Sequence, residues 1–308
     1  MDDIGQLLSS ALDGSPYRTV GTGLEELDNL TGGFKKSCVT IISGLAASGK
    51  TSLALNFVEA AIFNNEPPVP VLYYALSEKA QDIALKLIAI HTGIPLDRLK
   101  GGQIEDYEWM DIEEAARKME GKIFIEGNPR LEYDRLRKNI INKEVDHDVD
   151  FGLIIIDSIN RIEPPSCYRG NAEQEISAIS RELKSVAKEL DKPIIAIAPA
   201  NRQYKQRGDY YTRLTLSDLK DSSSLEYDSD EVILINPRQA LALDCPDRYE
   251  LSLAKNRYGF TGNVEVEFDS LTGKFKNIDY ETLGCSSIMN DETTEGGTSA
   301  KDETTNHQ

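Results

Sequence analysis

The sequence predicts an α/β protein whose mostly parallel sheet is sandwiched by helices and closed by an antiparallel hairpin near its C-terminal end. Three observations carry that expectation. Short aliphatic runs alternate with helix-period segments from Val39 to Leu190, the pattern of strands joined by crossover helices. The run Leu153-Ile154-Ile155-Ile156 is apolar throughout rather than alternating, as a strand buried on both faces must be. Late in the chain, two alternating stretches flank the glycine-bearing turn Asn256 to Gly262, which reads as a hairpin.

The elements follow in order. Ile4, Leu7, Leu8 and Leu12 recur at helical spacing over residues 3 to 13, a segment too short to be stable unless docked. Gly21 to Gly33 reads as a turn-rich approach to the strand Val39 to Ile42. Next comes Gly44-Leu45-Ala46-Ala47-Ser48-Gly49-Lys50-Thr51, followed by the helix-forming Ser52 to Phe63. Strand, glycine-bounded loop and helix form the context in which G-x-x-x-x-G-K-[ST] becomes a phosphate-binding loop. Gly44 and Gly49 let the backbone curl so that N–H groups point inward, and the helix adds its positive end. Ala47, Ser48 and Ser52 complete the cradle. Lys50 then reaches the β- and γ-phosphates of ATP, and the Thr51 hydroxyl binds Mg²⁺.

Beyond the break at Asn64 to Pro70, Val71 to Leu76 reads as a buried strand and Ala80 to His91 as an amphipathic helix. A helix over Ile112 to Met119, a strand at Lys122 to Glu126 and a helix around Tyr133 to Asn142 follow. Leu153 to Ile156 ends in Asp157, an acid at the carboxyl end of a central strand, placed to hold Mg²⁺ opposite the loop. Pro164 to Asn171 is a loop, Glu173 to Leu190 a long helix, and Pro193 to Ala198 a strand. Leu216 to Ser224 is a hydroxyl-rich loop or helix start, before strands at Glu231 to Ile235, Glu250 to Lys255 and Asn263 to Phe268. Tyr73, Tyr74 and Tyr227 are assigned to core or interface packing rather than to base stacking. From Cys285 onward the chain is polar and acidic and reads as disordered.

Composition sets outer limits. The chain has 308 residues, 40% hydrophobic and 28% charged, in the range of a globular protein with a substantial core. No apolar run approaches the about 20 residues needed to span a bilayer. The formal net charge of −18 argues against a surface that coats nucleic acid, while leaving room for a local basic track. Four scattered cysteines lack metal-type spacing, and three separated histidines, His91, His147 and His307, read as surface residues. The cysteine usage points to a reducing cytosol, which is a host's cytoplasm if the chain is viral.

Several separated motifs together resemble the C-terminal motor domain of the DnaB family of replicative helicases, a branch of the RecA-like ATPases. Thr22-Gly23-Leu24 to Asp28 is similar to T-G-F-x-x-L-D, and Ile179-Ser180-Arg181-Glu182-Leu183-Lys184 to Leu190 is similar to I-S-R-x-L-K-x-L-A-K-E-L. Ser217-Asp218-Leu219-Lys220-Asp221 to Asp230 resembles S-D-L-R-E-S-G-x-I-E-Q-D-A-D, and Ala254-Lys255-Asn256-Arg257-Tyr258-Gly259 to Gly262 resembles A-K-Q-R-N-G-x-T-G. The resemblance runs from about Thr22 to Ile278.

The resemblance implies a hexameric ring that holds ATP between subunits and moves along single-stranded DNA, with a loader or primase as further partners. It places Lys255 and Arg257 at the neighbour's γ-phosphate, though a basic pair also simply flanks many hairpin turns. It places Lys220, Asp221 and Ser223 on the pore loop along the DNA backbone, joined by Arg202. Residues 1–20 then form a docking helix and linker without the family's primase-binding domain, 21–284 the motor, and 285–308 the tail.

Three departures fall on phosphate-reading positions. The family's strand ends S-L-E-M, with the glutamate polarising the attacking water. Here Ala75-Leu76-Ser77-Glu78 puts Ser77 in that place and Glu78 one later, and on a strand that shift points a side chain to the other face. Pro199 stands where the family has a polar γ-phosphate sensor, and Ser223 replaces a glycine. The alternative to a working motor is therefore a ring protein that binds ATP and hydrolyses it poorly, serving as scaffold, loader partner or inhibitor; another is a recombinase-like member of the RecA group.

Overall fold

The computed structural model describes residues 19–128, 130–201, 213–219, 223–237 and 248–278. Those up to Asn277 belong to one compact unit. The segment over residues 3 to 13, the tail from 285, and Cys245, Cys285 and His307 lie outside the described residues.

The chain begins with α1 (Glu25–Thr31), β1 (Val39–Gly44), α2 (Lys50–Phe63), β2 (Val71–Ala75), α3 (Ala80–Thr92), α4 (Leu96–Gly101) and α5 (Asp106–Met119). It continues through β3 (Ile123–Glu126), α6 (Leu136–His147), β4 (Leu153–Asp157), α7 (Ala172–Leu190) and β5 (Ile194–Pro199). The last elements are α8 (Ser223–Asp228), β6 (Glu231–Pro237), β7 (Arg248–Asn256), β8 (Gly262–Asp269) and β9 (Lys274–Asn277).

All these strands join one sheet in the order β3-β2-β4-β5-β1-β6-β7-β8-β9. Pairing is parallel from β3 across to β6 and antiparallel from β6 to β9. The α/β class with an antiparallel C-terminal edge therefore stands as expected. Because side chains on a strand alternate faces, Tyr73, Ile155, Ile195 and Ile233 fall in one core, with Leu53, Phe57, Ile83 and Leu87 of the covering helices. Tyr74, Ile154, Ile156, Ile194 and Val232 fall in the other, with Leu136, Ile140, Leu183 and Val186. Such two-sided burial is why β1, β2 and β4 are apolar without alternation.

Several boundaries differ from expectation. Gly21 to Gly33 contains α1, whose acidic first turn suits a helix N-terminus and which ends at Gly32 with φ 71°; seven residues between glycines are too few to show a period. The helix expected over Tyr133 to Asn142 opens as a 3₁₀ turn, Tyr133–Arg135, before α6. The helix expected from Ile112 starts at Asp106, where the Glu105 N–H donates to Glu108 at 2.8 Å. His91 is not a surface residue: it is half-buried, stacked on Phe63 with centroids 3.7 Å apart and 3.0 Å from the Glu59 carboxylate. Tyr227 is exposed and so lies outside the core of the chain, whereas Tyr73 and Tyr74 are fully buried. Among the described residues, no helix is long and apolar enough to cross a membrane.

Candidate active site

The parallel strands end together on one edge, with Gly44 beside Pro199, and Asp157 between Ala75 and Ile197. Sheets of this kind bind ligands at the carboxyl ends of their strands. The loop after β1 lies on that edge and turns directly into α2. Ala47 and Gly49 both take positive φ, 62° and 87°, which tightens the curl. A Cβ built on Gly44 would sit 2.4 Å from Ser48 Oγ and 3.3 Å from Ile235 Cβ, so the loop closes tightly because that position is glycine.

The donor chemistry suits a phosphate chain. No side chain caps the N-terminus of α2, which leaves its first N–H groups to the loop side. The hydroxyl oxygens of Ser43 and Ser48 are buried without a hydrogen-bond partner. The Lys50 ammonium folds back onto the carbonyls of Gly44, at 3.0 Å, and Leu45. Burial holds its pKa below the ordinary lysine value, with Asp157 acting in the opposite sense. Thr51 Oγ1 donates to Asp157 Oδ2 at 2.7 Å, so the two residues expected at Mg²⁺ stand together. Ser52 lies in the first turn of α2.

Asp157 is buried, and burial raises its pKa; hydrogen bonds from Thr51 and Tyr73 act the other way. The Tyr73 hydroxyl donates to the same Oδ2 at 2.9 Å. Sequence reasoning assigned Tyr73 to packing and missed this bond. The available signal was a phenol in an otherwise apolar buried strand, since a buried Tyr hydroxyl needs a partner. Glu78 stands past the end of β2 with both carboxylate oxygens on Lys86 Nζ, at 2.6 and 2.5 Å. Ser77 is exposed, its hydroxyl 3.3 Å from that of Ser158. An open cleft of about 480 Å³ beside them is lined by Ser77, Glu78, Lys79, Asp82 and Gly127 among others.

Lys255 and Arg257 sit at the end of β7 and bind the end of α8. Lys255 donates to the carbonyls of Glu226, Tyr227 (3.2 Å) and Ser229 (2.6 Å). Arg257 pairs with Asp230 at 3.1 Å and donates to the Tyr227 carbonyl at 3.3 Å. Burial lowers the Lys255 pKa, and the neighbouring Arg257 charge adds to the effect. Asp230, fully buried, also accepts from the Val39 N–H at 2.8 Å and from Lys184 at 2.6 Å. Lys184 of the Ile179 to Leu190 motif thus ties α7 to β1 and to the root of the hairpin.

Of the residues expected on DNA, Arg202, Lys220 and Asp221 lie outside the described residues, and Ser223 opens α8. The described residues flanking those segments meet: the Asn201 N–H donates to the Asp218 carbonyl at 2.6 Å, and Ala200 bridges Leu219. Pro199 ends β5, paired with Gly44.

The family model described as DnaB-like helicase C terminal domain matches residues 19–277. A curated relative, "Replicative DNA helicase DnaB" of Leifsonia xyli, is 30% identical over 262 residues, which cover 84% of this chain and 56% of that protein. The chain thus spans little more than half the length of such relatives. Among solved structures, that of a separate ATPase domain superposes with a TM-score of 0.81 at 24% identity, covering 91% of this chain and all of the other. "The Structure Of A DnaB-Like Replicative Helicase And Its Interactions With Primase" gives 0.79, also at 24%, covering 91% of this chain and 68% of that one. At such identities these likenesses speak to the fold.

Proposed function

Because the chain belongs to the DnaB-like helicase C-terminal domain family, we propose that it is an ATP-driven DNA helicase motor, working as a ring with single-stranded DNA in the pore and ATP at the subunit interfaces. The observation that carries the proposal is the convergence of Thr51 and Asp157, 2.7 Å apart, under the uncapped start of α2. That arrangement suits a Mg-bound nucleoside triphosphate.

In this reading Gly44, Ala47, Ser48 and Gly49 shape the cradle, and Lys50, Thr51 and Ser52 present the helix N-terminus to the β-phosphate. Lys50 leaves the Gly44 and Leu45 carbonyls for the β- and γ-phosphates. Thr51 and Asp157 hold Mg²⁺, which when bound neutralises charge on the phosphates. Glu78 is the catalytic base that orients the attacking water. Lys255 and Arg257 act on the ATP of the adjacent subunit, where an arginine stabilises the charge of the transferring phosphoryl group. Arg202, Lys220, Asp221 and Ser223 follow the DNA backbone, a contact that carries little sequence information and weakens with salt. A primase or loader docks on the assembled ring, in the cytoplasm of a cell or of a virus's host.

The test is ATP-dependent strand separation on a forked duplex. The full chain is expected to unwind it, and Lys50→Ala to leave it intact; no unwinding and no ATP-dependent movement on single strands by the wild type would contradict the proposal.

A further inference from the structure

The glutamate that is one place late in the chain has a partner that brings it back. Leaving β2, the Leu76 N–H donates 2.8 Å to the Asp157 carbonyl, which keeps the chain beside β4. Ser77, in the register where the family carries its acid, turns toward Ser158. Glu78 would point away from the Tyr73 and Asp157 face if the strand ran on. Instead the backbone bends after Ala75, and both Glu78 oxygens meet the ammonium of Lys86.

Lys86 rises from α3, the helix whose Ile83, Leu87 and Ile90 pack into the Tyr73 core. The neighbouring acid on that helix, Asp82, is engaged by Lys100 at 2.9 Å. The Glu78 and Lys86 side chains keep 33% and 22% of their exposure. A pair that wet contributes little to stability, so holding the fold together does not account for it. Because α3 covers the face of the sheet on which Tyr73 meets Asp157, its Lys86 holds Glu78 from that face.

We infer that Lys86 is a positioning residue: it takes hold of the displaced Glu78 and turns its carboxylate to the Asp157 side of the sheet, so that the offset glutamate can serve the ATP site. The inference rests on the ATPase reading above. It assigns Lys86 no contact with the nucleotide; its whole effect passes through Glu78.

The experiment compares the full-length wild type, Glu78→Gln, Lys86→Met, Lys86→Arg and the double variant Glu78→Gln/Lys86→Met. ATP turnover is measured with saturating single-stranded DNA, and binding with a fluorescent non-hydrolysable ATP analogue. Lys86→Met is expected to lower kcat on the order of 10²-fold, the cost of misplacing a reacting group by about 1 Å. KM and analogue affinity are expected to hold, and Lys86→Arg to recover most of the rate. The double variant should be no slower than Glu78→Gln, because the two residues act as one unit. Wild-type turnover in Lys86→Met, multiplied losses in the double variant, or analogue affinity falling with the rate would each overturn the inference. If Lys86→Met does not fold, Lys86→Gln is read by the same criteria. Absence of turnover in the wild type would remove the ATPase reading and this inference with it, whereas normal wild-type turnover indifferent to Lys86 removes the inference alone.

Discussion

Tyr73 on β2 and Asp157 on β4 are joined by a hydrogen bond of 2.9 Å from the phenol to Oδ2. The same oxygen takes the Thr51 hydroxyl. The acid at the phosphate loop is thereby fixed from the sheet on one side and from α2 on the other. Tyr73→Phe keeps the ring and removes one donor. It is expected to cost about 1 kcal/mol, read as a melting temperature lower by about 2–4 °C, with little change in helix content by circular dichroism.

Asp157→Asn tests the electrostatics of the same site in the nucleotide-free chain. Burial raises the Asp157 pKa above the usual 3.8, so the folded chain keeps that proton to higher pH than the unfolded chain does. Linkage then makes this residue's contribution to stability decline as pH rises from the unfolded value through the folded one. Asn has no proton to lose. The melting temperature of Asp157→Asn relative to wild type is therefore expected to be greater at pH 7 than at pH 4; equal differences at both would contradict the assignment.

Lys50→Ala removes an ammonium whose partners in the chain are the loop carbonyls of Gly44 and Leu45. Losing a charge-assisted contact to phosphate costs about 1.5–3 kcal/mol, so affinity for a fluorescent ATP analogue is expected to fall by roughly ten- to a hundredfold.

Lys255 and Arg257 separate by what each does within the chain. Lys255→Ala strips donors from the carbonyls of Glu226, Tyr227 and Ser229 and is expected to lower stability by about 1–3 kcal/mol. The Arg257 side chain is 45% exposed, and without it the buried Asp230 keeps Lys184 and the Val39 N–H as partners. Arg257→Ala should melt near the wild type while losing ATP turnover, as expected of a group that acts on the adjacent subunit. A loss of stability equal to that of Lys255→Ala, with turnover kept, would contradict that role.

Much of this was legible in the sequence because it is local. The loop from Gly44 to Thr51 and the strand ending at Asp157 announce themselves by glycine spacing and unbroken aliphatic runs. The parallel sheet and its antiparallel edge follow from element alternation and the late hairpin. What the sequence did not show depends on contacts far apart along the chain. Tyr73 and Asp157 are 84 positions apart, and nothing near either names the other. Lys86 lies only eight positions from Glu78, yet the bend that joins them is made by the strand end, where periodicity stops. The carbonyls that Lys255 binds lie at the end of α8, a helix of six residues, too short to carry a period of its own.

The measurement that tests the account most directly is the ATP hydrolysis rate of the full-length wild type with and without single-stranded DNA, beside Glu78→Gln. The account predicts turnover that rises with DNA and falls by roughly 10²–10⁴-fold in Glu78→Gln, as removal of a general base does. No turnover in the wild type, or turnover indifferent to both DNA and Glu78, would contradict it.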